Sequence, residues 1–298
     1  MVASTWVALA LVASLVACGE PSNADDVDAG VDGHPDAPPG CDRPDLDASW
    51  LRLLLTDSVG QLAQAPRYLP TERTAARTYL SNQLSSMGWT PQRQSYPNGE
   101  NVFASIPATM GSGKTIVVGA HFDTVSGSPG ANDNASGVAV VLAVARYLKD
   151  TTCRTSPVIV VFFDQEELGL FGSRAYAMTL APVDVLAVHT IDQVAWDSDG
   201  DKHFELELPT PALEAEWKAA ATVVGVTAVT TTTSGTDHKS FRDRGFAAIG
   251  LTEEYVGGDT SPFRHTPNDT SASIAPYVDY LVLAAKLTGQ VVLDEVSP

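Results

Sequence analysis

The sequence predicts a three-layer α/β/α fold in which helices cover both faces of a mixed, mostly parallel sheet. Continuous apolar runs at 115–120 (TIVVGA), 157–163 (PVIVVFF) and 185–191 (VLAVHTI) are typical of strands that are buried on both faces. Apolar segments of helical length alternate with these runs, which indicates βαβ units. The chain has 298 residues, 44% of them hydrophobic, and is therefore long enough to bury a large core.

The individual elements follow from the spacing of the apolar residues and from the turn residues between them. The predicted helices lie at residues 50–55, 71–87, 137–148, 172–180, 211–224 and 276–288. The predicted strands lie at residues 102–106, 115–120, 157–163, 185–191, 226–232 and 246–251. The second helix is expected to stop at Gly88, because glycine adopts the left-handed conformation that ends many helices.

The beginning of the chain has a different composition from the rest. Residues 1–17 are almost wholly apolar and predict an export signal, and the LVAC motif ending at Cys18 is similar to the lipobox of bacterial lipoproteins. A plain secretory signal with an incidental cysteine is the alternative. Residues 18–45 are rich in Asp, Gly and Pro and predict a disordered acidic linker, since they have too few apolar side chains to offset the entropy cost of ordering. The folded domain is expected at 46–298.

Charge and cysteine content limit the partners and the location of the protein. The formal net charge is −18 and only 18 residues are Lys or Arg, which argues against nucleic acid as a partner. An exported protein lies outside the cytoplasm, either secreted or lipid-anchored at Cys18 to a bacterial envelope membrane. If Cys18 is lipidated, Cys41 and Cys153 remain, and they are either a disulfide or two free thiols.

Polar residues lie directly after the apolar runs or in the loops that follow them. They are His121 and Asp123 after the first run, Asp133 in the loop that follows, Glu166 and Glu167 after the second run, Asp192 after the third, and His265 in a later loop. Ligand sites of such sheets lie beyond the carboxyl ends of the strands, where these residues would meet. One carboxylate alone could be a helix cap, and one histidine could be structural. Together, imidazole and clustered carboxylates indicate a zinc centre, because a cation would offset their mutual repulsion.

Several motifs around these residues occur in the order of a known family. With AHFDTV, GANDNASG, FFDQEELGLFGS and RHTPNDT, the chain resembles the two-zinc exopeptidase family of secreted bacterial leucyl aminopeptidases, whose relatives include the glutaminyl cyclases. The resemblance covers about residues 70–290. It implies a zinc-exopeptidase fold, a zinc peptidase catalytic domain at 46–298 and two Zn2+ ions as cofactors.

The resemblance also implies a role for each polar residue. The implied metal ligands are His121 and Asp192 for one ion, Glu167 and His265 for the other, and Asp133 bridging both. Glu166 becomes the general base, and Asp123 holds the imidazole of His121 in the correct tautomer. The family further suggests a cis peptide bond between Asp133 and Asn134. In the implied mechanism the metals activate a water, and Glu166 carries its proton to the leaving amine.

The implied activity is that of a metallo-aminopeptidase, a hydrolase and protease acting on peptides with a free N-terminus, with the chain as a monomer. A glutaminyl cyclase-like acyltransferase with one zinc and a noncatalytic surface lipoprotein are the alternatives. Arg264 stands where relatives often have an aromatic hydroxyl nearby, and it could stabilise the oxyanion or bind a substrate carboxylate. Tyr255 could supply the hydroxyl instead. The Thr236–Asp237–His238 segment resembles a family element and is left without a role.

Overall fold

The computed structural model describes residues 40–298, which contain an eight-stranded mixed sheet with helices packed on it. The predicted export signal at 1–17, Cys18 and the predicted linker as far as residue 39 lie outside the described residues. No helix within residues 40–298 is long and apolar enough to cross a membrane.

The sheet is built around four parallel strands. Its strands are β1 (Gln92–Tyr96), β2 (Gly99–Ile106), β3 (Thr115–His121), β4 (Val158–Phe163), β5 (Val185–Ile191), β6 (His203–Glu207), β7 (Thr227–Thr231) and β8 (Ala248–Thr252). Their order across the sheet is β1-β2-β4-β3-β5-β8-β6-β7. β4, β3, β5 and β8 pair in parallel, whereas β2 joins β4 and β6 joins β8 in antiparallel pairs. The prediction of a mixed sheet with a parallel centre is therefore confirmed.

Helices cover the two faces of this sheet unequally. They are α1 (Leu51–Leu62), α2 (Pro70–Ser86), α3 (Gly137–Asp150), α4 (Phe171–Ala177), α5 (Pro211–Val224), α6 (His238–Arg242), α7 (Ser271–Ile274) and α8 (Val278–Val296). Side chains alternate along β3, so that Ile116 and Val118 enter a large apolar cluster with α3 and α8, whereas Val117 enters a smaller cluster. The smaller cluster includes Tyr176 of α4 and Phe241 of α6. This arrangement gives the three layers.

Two strands were not predicted. β1, with the sequence QRQSY, is polar and largely exposed, and it is held at the edge of the sheet by pairing with β2. β6, with the sequence HFELE, buries Glu205 and Glu207 between β8 and β7. The last helix is also longer than expected, since α8 continues to Val296. In the two strands, pairing with neighbouring strands decides the structure where the hydrophobic pattern is weak.

The described residues that precede α1 are attached to the domain. Cys41 and Cys153 form a disulfide bond, which is one of the two alternatives for these cysteines. The Asp42 amide donates to Thr152 Oγ1 at 2.7 Å, and Arg43 forms an ion pair with Asp294 at 2.6 Å. Residues 40–45 of the predicted linker therefore contact the folded domain.

Candidate metal centre

The polar residues predicted from the sequence meet at the carboxyl edge of the parallel strands. His121 is the last residue of β3, and Asp192 directly follows β5. Glu166 and Glu167 lie in the turn that follows β4. Because β4, β3 and β5 are adjacent and parallel, their ends bring these side chains to one edge of the sheet.

The side chains form two groups of metal-ligand type that share Asp133. In the first group His121 Nε2 lies 3.4 Å from Asp133 Oδ1 and 3.3 Å from Asp192 Oδ1. In the second group His265 Nε2 lies 3.1 Å from both Asp133 Oδ2 and Glu167 Oε2. Each group thus takes a different oxygen of the Asp133 carboxylate.

These distances and donor types fit zinc. Nitrogen and oxygen ligands of one tetrahedral zinc ion lie about 2.0–2.2 Å from the ion, and therefore about 3.3–3.6 Å from one another. The contacts within each group are close to this spacing, and its ligand atoms all lie within 4.8 Å of one another. Glu167 Oε1 is buried and has no hydrogen-bond partner among residues 40–298, so this carboxylate has unused bonding capacity. The residues present are therefore able to hold zinc.

The electrostatics of the cluster are strongly perturbed. Burial acts to raise the pKa of Asp133, but hydrogen bonds from His121 and His265 outweigh it and hold the pKa well below its ordinary value. Hydrogen bonds to Asp133 and Glu167 raise the pKa of His265 to about 9. Burial raises the pKa of Glu166 well above its ordinary value, and nearby carboxylates add to the rise. A carboxyl group shifted in this way can hold a proton near neutral pH.

Asp123 connects the two groups. Its Oδ1 accepts a hydrogen bond from the Glu166 amide at 2.9 Å, and its Oδ2 accepts one from the Glu167 amide at 3.2 Å. The same carboxylate lies 3.6 Å from His121 Nδ1. Asp123 therefore fixes the turn that carries the two glutamates and lies beside the His121 ring, whose Nδ1 has no hydrogen-bond partner among residues 40–298.

The loop that carries Asp133 is held by buried polar groups. Asp269 accepts hydrogen bonds from the amides of Asn132 at 2.8 Å and Asp133 at 3.0 Å. The Asn132 side chain donates to both oxygens of Glu253, at 3.0 and 2.9 Å. The Asp133–Asn134 peptide bond is cis, as the resemblance suggests. Asp269 lies within the RHTPNDT motif, but sequence reasoning assigned no role to either Asp269 or Glu253.

Arg67 is a second support that sequence reasoning missed. Its buried guanidinium donates to four carbonyl oxygens, those of Leu62, Phe122, Pro129 and Gly130, at 2.6–2.9 Å. Phe122 lies between His121 and Asp123, and Gly130 begins the Asp133 loop, so Arg67 ties the end of β3 to that loop. Burial lowers the pKa of Arg67 to about 10, which leaves it charged at neutral pH. Nothing in the local sequence distinguishes this arginine from an exposed one.

The remaining residues singled out from the sequence lie at the rim of the cluster or beside it. Arg264 Nε is 3.1 Å from Asp133 Oδ2, and the Arg264 guanidinium carbon lies 5.5 Å from the centre of the Tyr255 ring. Asp237 is buried, and its burial raises its pKa to about 7. The neighbouring His238 hydrogen bonds to Thr236 and to the Thr233 carbonyl. Asp237 lies close enough to His121 and Asp192 for both to affect its pKa, so this segment is near the site.

The chain is similar to curated aminopeptidases over part of their length. It is 30% identical to aminopeptidase YwaD of Bacillus subtilis over 174 residues, which are 54% of this chain and 37% of that protein. It is 41% identical to the probable lipoprotein aminopeptidase LpqL of Mycobacterium tuberculosis over 91 residues, which are 30% of this chain and 18% of that protein. The chain thus spans well under half the length of these relatives.

Solved structures share the fold. The aminopeptidase from Aneurinibacillus sp. strain AM-1 aligns with a TM-score of 0.73 at 18% identity, over 83% of this chain and 94% of that one. BSAP, a zinc aminopeptidase from Bacillus subtilis, aligns with a TM-score of 0.62 at 25% identity, over 67% and 50%. A glutaminyl cyclase of Bacteroides thetaiotaomicron aligns with a TM-score of 0.69 at 20% identity, over 85% and 100%.

A family model matches more than half of the chain and includes most of the centre described above. The model describes Peptidase family M28 and matches residues 101–280. The matched segment begins in β2, runs through the central strands and ends in α8, so that it contains both groups of candidate ligands. On this match, the chain belongs to Peptidase family M28.

Proposed function

We propose that the chain is a zinc-dependent aminopeptidase, a hydrolase that cleaves the N-terminal peptide bond of peptides with a free amino terminus. The single observation that carries the proposal is the pair of ligand groups sharing Asp133, next to Glu166, in a member of Peptidase family M28. The similarity to YwaD and BSAP supports an aminopeptidase among the activities of the family.

Two Zn2+ ions would be held by the residues of the two groups. His121 and Asp192 would bind one ion, Glu167 and His265 the other, and Asp133 would contribute one oxygen to each. When bound, zinc supplies a Lewis acid that polarises the peptide carbonyl and lowers the pKa of water.

Glu166 is the proposed general base. Its carboxylate accepts a proton from the attacking water and then donates this proton to the nitrogen of the leaving amine, so that it acts first as base and then as acid. Its raised pKa favours the first step, because a more basic carboxylate accepts the proton of the water more readily. The Glu166 amide donates to Asp123, and this hydrogen bond fixes the turn from which the side chain extends.

The acidic character of the site favours a free amino terminus in the substrate. Asp192 and Asp237 lie close enough to Glu166 to raise the pKa of its carboxyl group, and a protonated α-amine would offset the negative charge of this acidic cluster. A blocked N-terminus lacks this positive charge. We therefore expect N-acetylated peptides to be poor substrates.

The test measures zinc per chain together with hydrolysis of a panel of aminoacyl arylamides. Glu166→Gln is expected to retain its zinc and to lose turnover by about 10²- to 10⁴-fold, because it cannot accept a proton. Glu216→Gln, an exposed change on α5, is the matched control and should behave like the wild type. Full activity in Glu166→Gln would remove Glu166 as the base.

The same experiment addresses the two alternatives. A glutaminyl cyclase-like acyltransferase would bind one zinc per chain and release ammonia from peptides with an N-terminal glutamine. A noncatalytic lipoprotein would turn over neither class of substrate. Two zinc ions per chain with release of the N-terminal residue would exclude both alternatives.

We also propose that the protein is exported and lipidated at Cys18. The LVAC motif and the similarity to the probable lipoprotein aminopeptidase LpqL support this location, as does a disulfide bond, since disulfides persist in oxidising compartments. Cys18→Ser should move the protein from the detergent phase to the aqueous phase in a detergent partition experiment. Partition of the wild type into the aqueous phase would contradict lipidation.

A further inference from the structure

We infer that Arg264 determines substrate specificity, by binding a substrate carboxylate close to the scissile bond. The inference rests on the proposed function, since it assigns a substrate class to the same site. The carboxylate has two sources in short peptides, namely an acidic N-terminal side chain and the C-terminal carboxylate of a dipeptide.

The position of Arg264 brings it to the centre of the proposed chemistry while it remains open to solvent. It directly precedes His265, and its Nε lies 3.1 Å from the Asp133 oxygen that His265 also contacts. The Arg264 side chain is 35% exposed, whereas that of Asp133 is 4% exposed. A ligand entering from solvent would therefore reach Arg264 as it approaches the shared carboxylate.

The guanidinium of Arg264 is available for a new hydrogen-bonding partner. Among residues 40–298 no hydrogen bond from this side chain is present, and Nε is within ion-pair distance of Asp133 without hydrogen-bond geometry. Arg67, by contrast, donates to four carbonyl oxygens. The Tyr255 ring lies 5.5 Å from the Arg264 guanidinium carbon and supports one face of the group, while the two terminal nitrogens have no hydrogen-bond partner among residues 40–298. A planar guanidinium with open edges matches a carboxylate through two parallel hydrogen bonds.

The charge of the zinc-loaded site favours the same ligand. In the zinc-loaded site the cations would draw on Asp133, which is the carboxylate that lies beside Arg264. The guanidinium charge of Arg264 would then be left to pair with a substrate carboxylate, whereas a peptide with neutral groups near the scissile bond offers it no counter-charge.

The test compares two pairs of substrates on the zinc-loaded enzyme. One pair is the arylamides of Glu and Leu, and the other is Leu-Gly and its C-terminal amide. We expect the wild type to prefer the carboxylate-bearing member of at least one pair, and the pair that shows the preference identifies the source of the carboxylate. Arg264→Gln should reduce this ratio of kcat/KM by about 10- to 100-fold, mainly through KM, because the charge-assisted hydrogen bonds to the carboxylate are lost.

Two variants control the measurement. Arg264→Lys keeps the charge but loses the paired N–H geometry, so it should retain part of the preference. Arg52→Gln changes an exposed arginine on α1 and should leave the ratio as in the wild type. If Arg264→Gln lowers kcat equally for all four substrates, Arg264 acts on the oxyanion and the inference is wrong. An unchanged ratio in Arg264→Gln overturns it as well.

A binding measurement separates this inference from the proposed function. Calorimetry with the zinc-loaded Glu166→Gln protein should give tighter binding of whichever carboxylate-bearing ligand the kinetics identify than of its neutral partner, and adding Arg264→Gln should abolish the difference. If the carboxylate-bearing ligand binds Glu166→Gln and the double variant with the same affinity, carboxylate binding by Arg264 is refuted. If the wild type hydrolyses none of the four substrates, the proposed function fails. If it hydrolyses them without a carboxylate preference, only the role of Arg264 fails.

Discussion

At the scale of single residues, Asp123 is expected to support the candidate metal centre without being one of its candidate ligands. It contacts His121 and accepts the amides of Glu166 and Glu167, so its loss disturbs both ligand groups. Asp123→Asn introduces an amide donor where two N–H groups already point, and we expect it to weaken zinc affinity by about 10- to 100-fold. Competition with a chelator measures the affinity, with the exposed change Asp57→Asn as control. Unchanged affinity in Asp123→Asn would contradict this supporting role.

Glu207 and His238 form a buried pair that is neutral near pH 7. They lie 3.4 Å apart, but burial raises the pKa of Glu207 to about 8 and lowers that of His238 to about 4. A carboxyl group whose pKa is raised in the fold stabilises the protein below its ordinary pKa, and this contribution is lost as the pH rises through the raised value.

Replacing Glu207 with Gln should remove this pH dependence. The wild type is expected to lose a few kcal/mol of the free energy of unfolding from this group between about pH 5 and about pH 9, whereas the amide does not titrate. Urea unfolding at both pH values gives the difference between the two proteins. If that difference is the same at both, Glu207 ionises normally and the predicted shift is wrong.

The sequence predicted the candidate ligands and the supporting residue Asp123, but not the other residues that support the ligands. His121, Glu167 and Asp192 lie at or just after the ends of apolar strands, so their chemistry and position are visible in the sequence. Arg67 and Glu253 act through partners far away in the chain, such as the Gly130 carbonyl and the Asn132 side chain. Such contacts exist only after folding, and no spacing rule identifies them.

At the scale of secondary-structure elements, Gly172 limits how closely α4 approaches the end of β4. A Cβ atom on Gly172 would lie 2.2 Å from the Asp164 carbonyl oxygen and 2.5 Å from Asn101 Oδ1. Asp164 begins the turn that carries Glu166, so Gly172→Ala is expected to cost about 1–3 kcal/mol of stability and to reduce turnover.

The matched control is a glycine with open space around it. A Cβ atom added to Gly60 in α1 would meet no atom within 4 Å beyond the backbone of its own helix, and Gly60→Ala should stabilise the helix by roughly 0.5–1 kcal/mol. Thermal unfolding of both variants tests the contrast. A Gly172→Ala protein as stable as the wild type would show that α4 can move away from β4.

The central strands were predictable and the outer strands were less so. β3, β4 and β5 are buried on both faces and are therefore continuous apolar runs. β1 is exposed and polar, and β6 carries two buried glutamates, whose acidic side chains hide the strand pattern. The Glu205 carboxylate accepts the amides of Val256 and Gly257, which explains how a charged residue is accommodated there.

At the scale of the whole molecule, the Cys41–Cys153 disulfide links the residues before α1 to the domain across 112 positions of sequence. A cross-link that closes so long a loop restricts the unfolded chain, and removing one typically costs about 2–5 kcal/mol. The double change Cys41→Ser with Cys153→Ser should therefore lower Tm, and reductant should lower the Tm of the wild type alone. If the double variant unfolds at the wild-type temperature, the cross-link contributes nothing to stability.

The shared position of Asp133 couples the two proposed zinc ions. Because each oxygen of this one carboxylate belongs to a different ligand group, loading one ion fixes the orientation of the ligand that the other requires. The second ion also meets the charge of the first. Titration with zinc should therefore give two unequal, interdependent steps, and a chelator that strips one ion should change the affinity of the ion that remains.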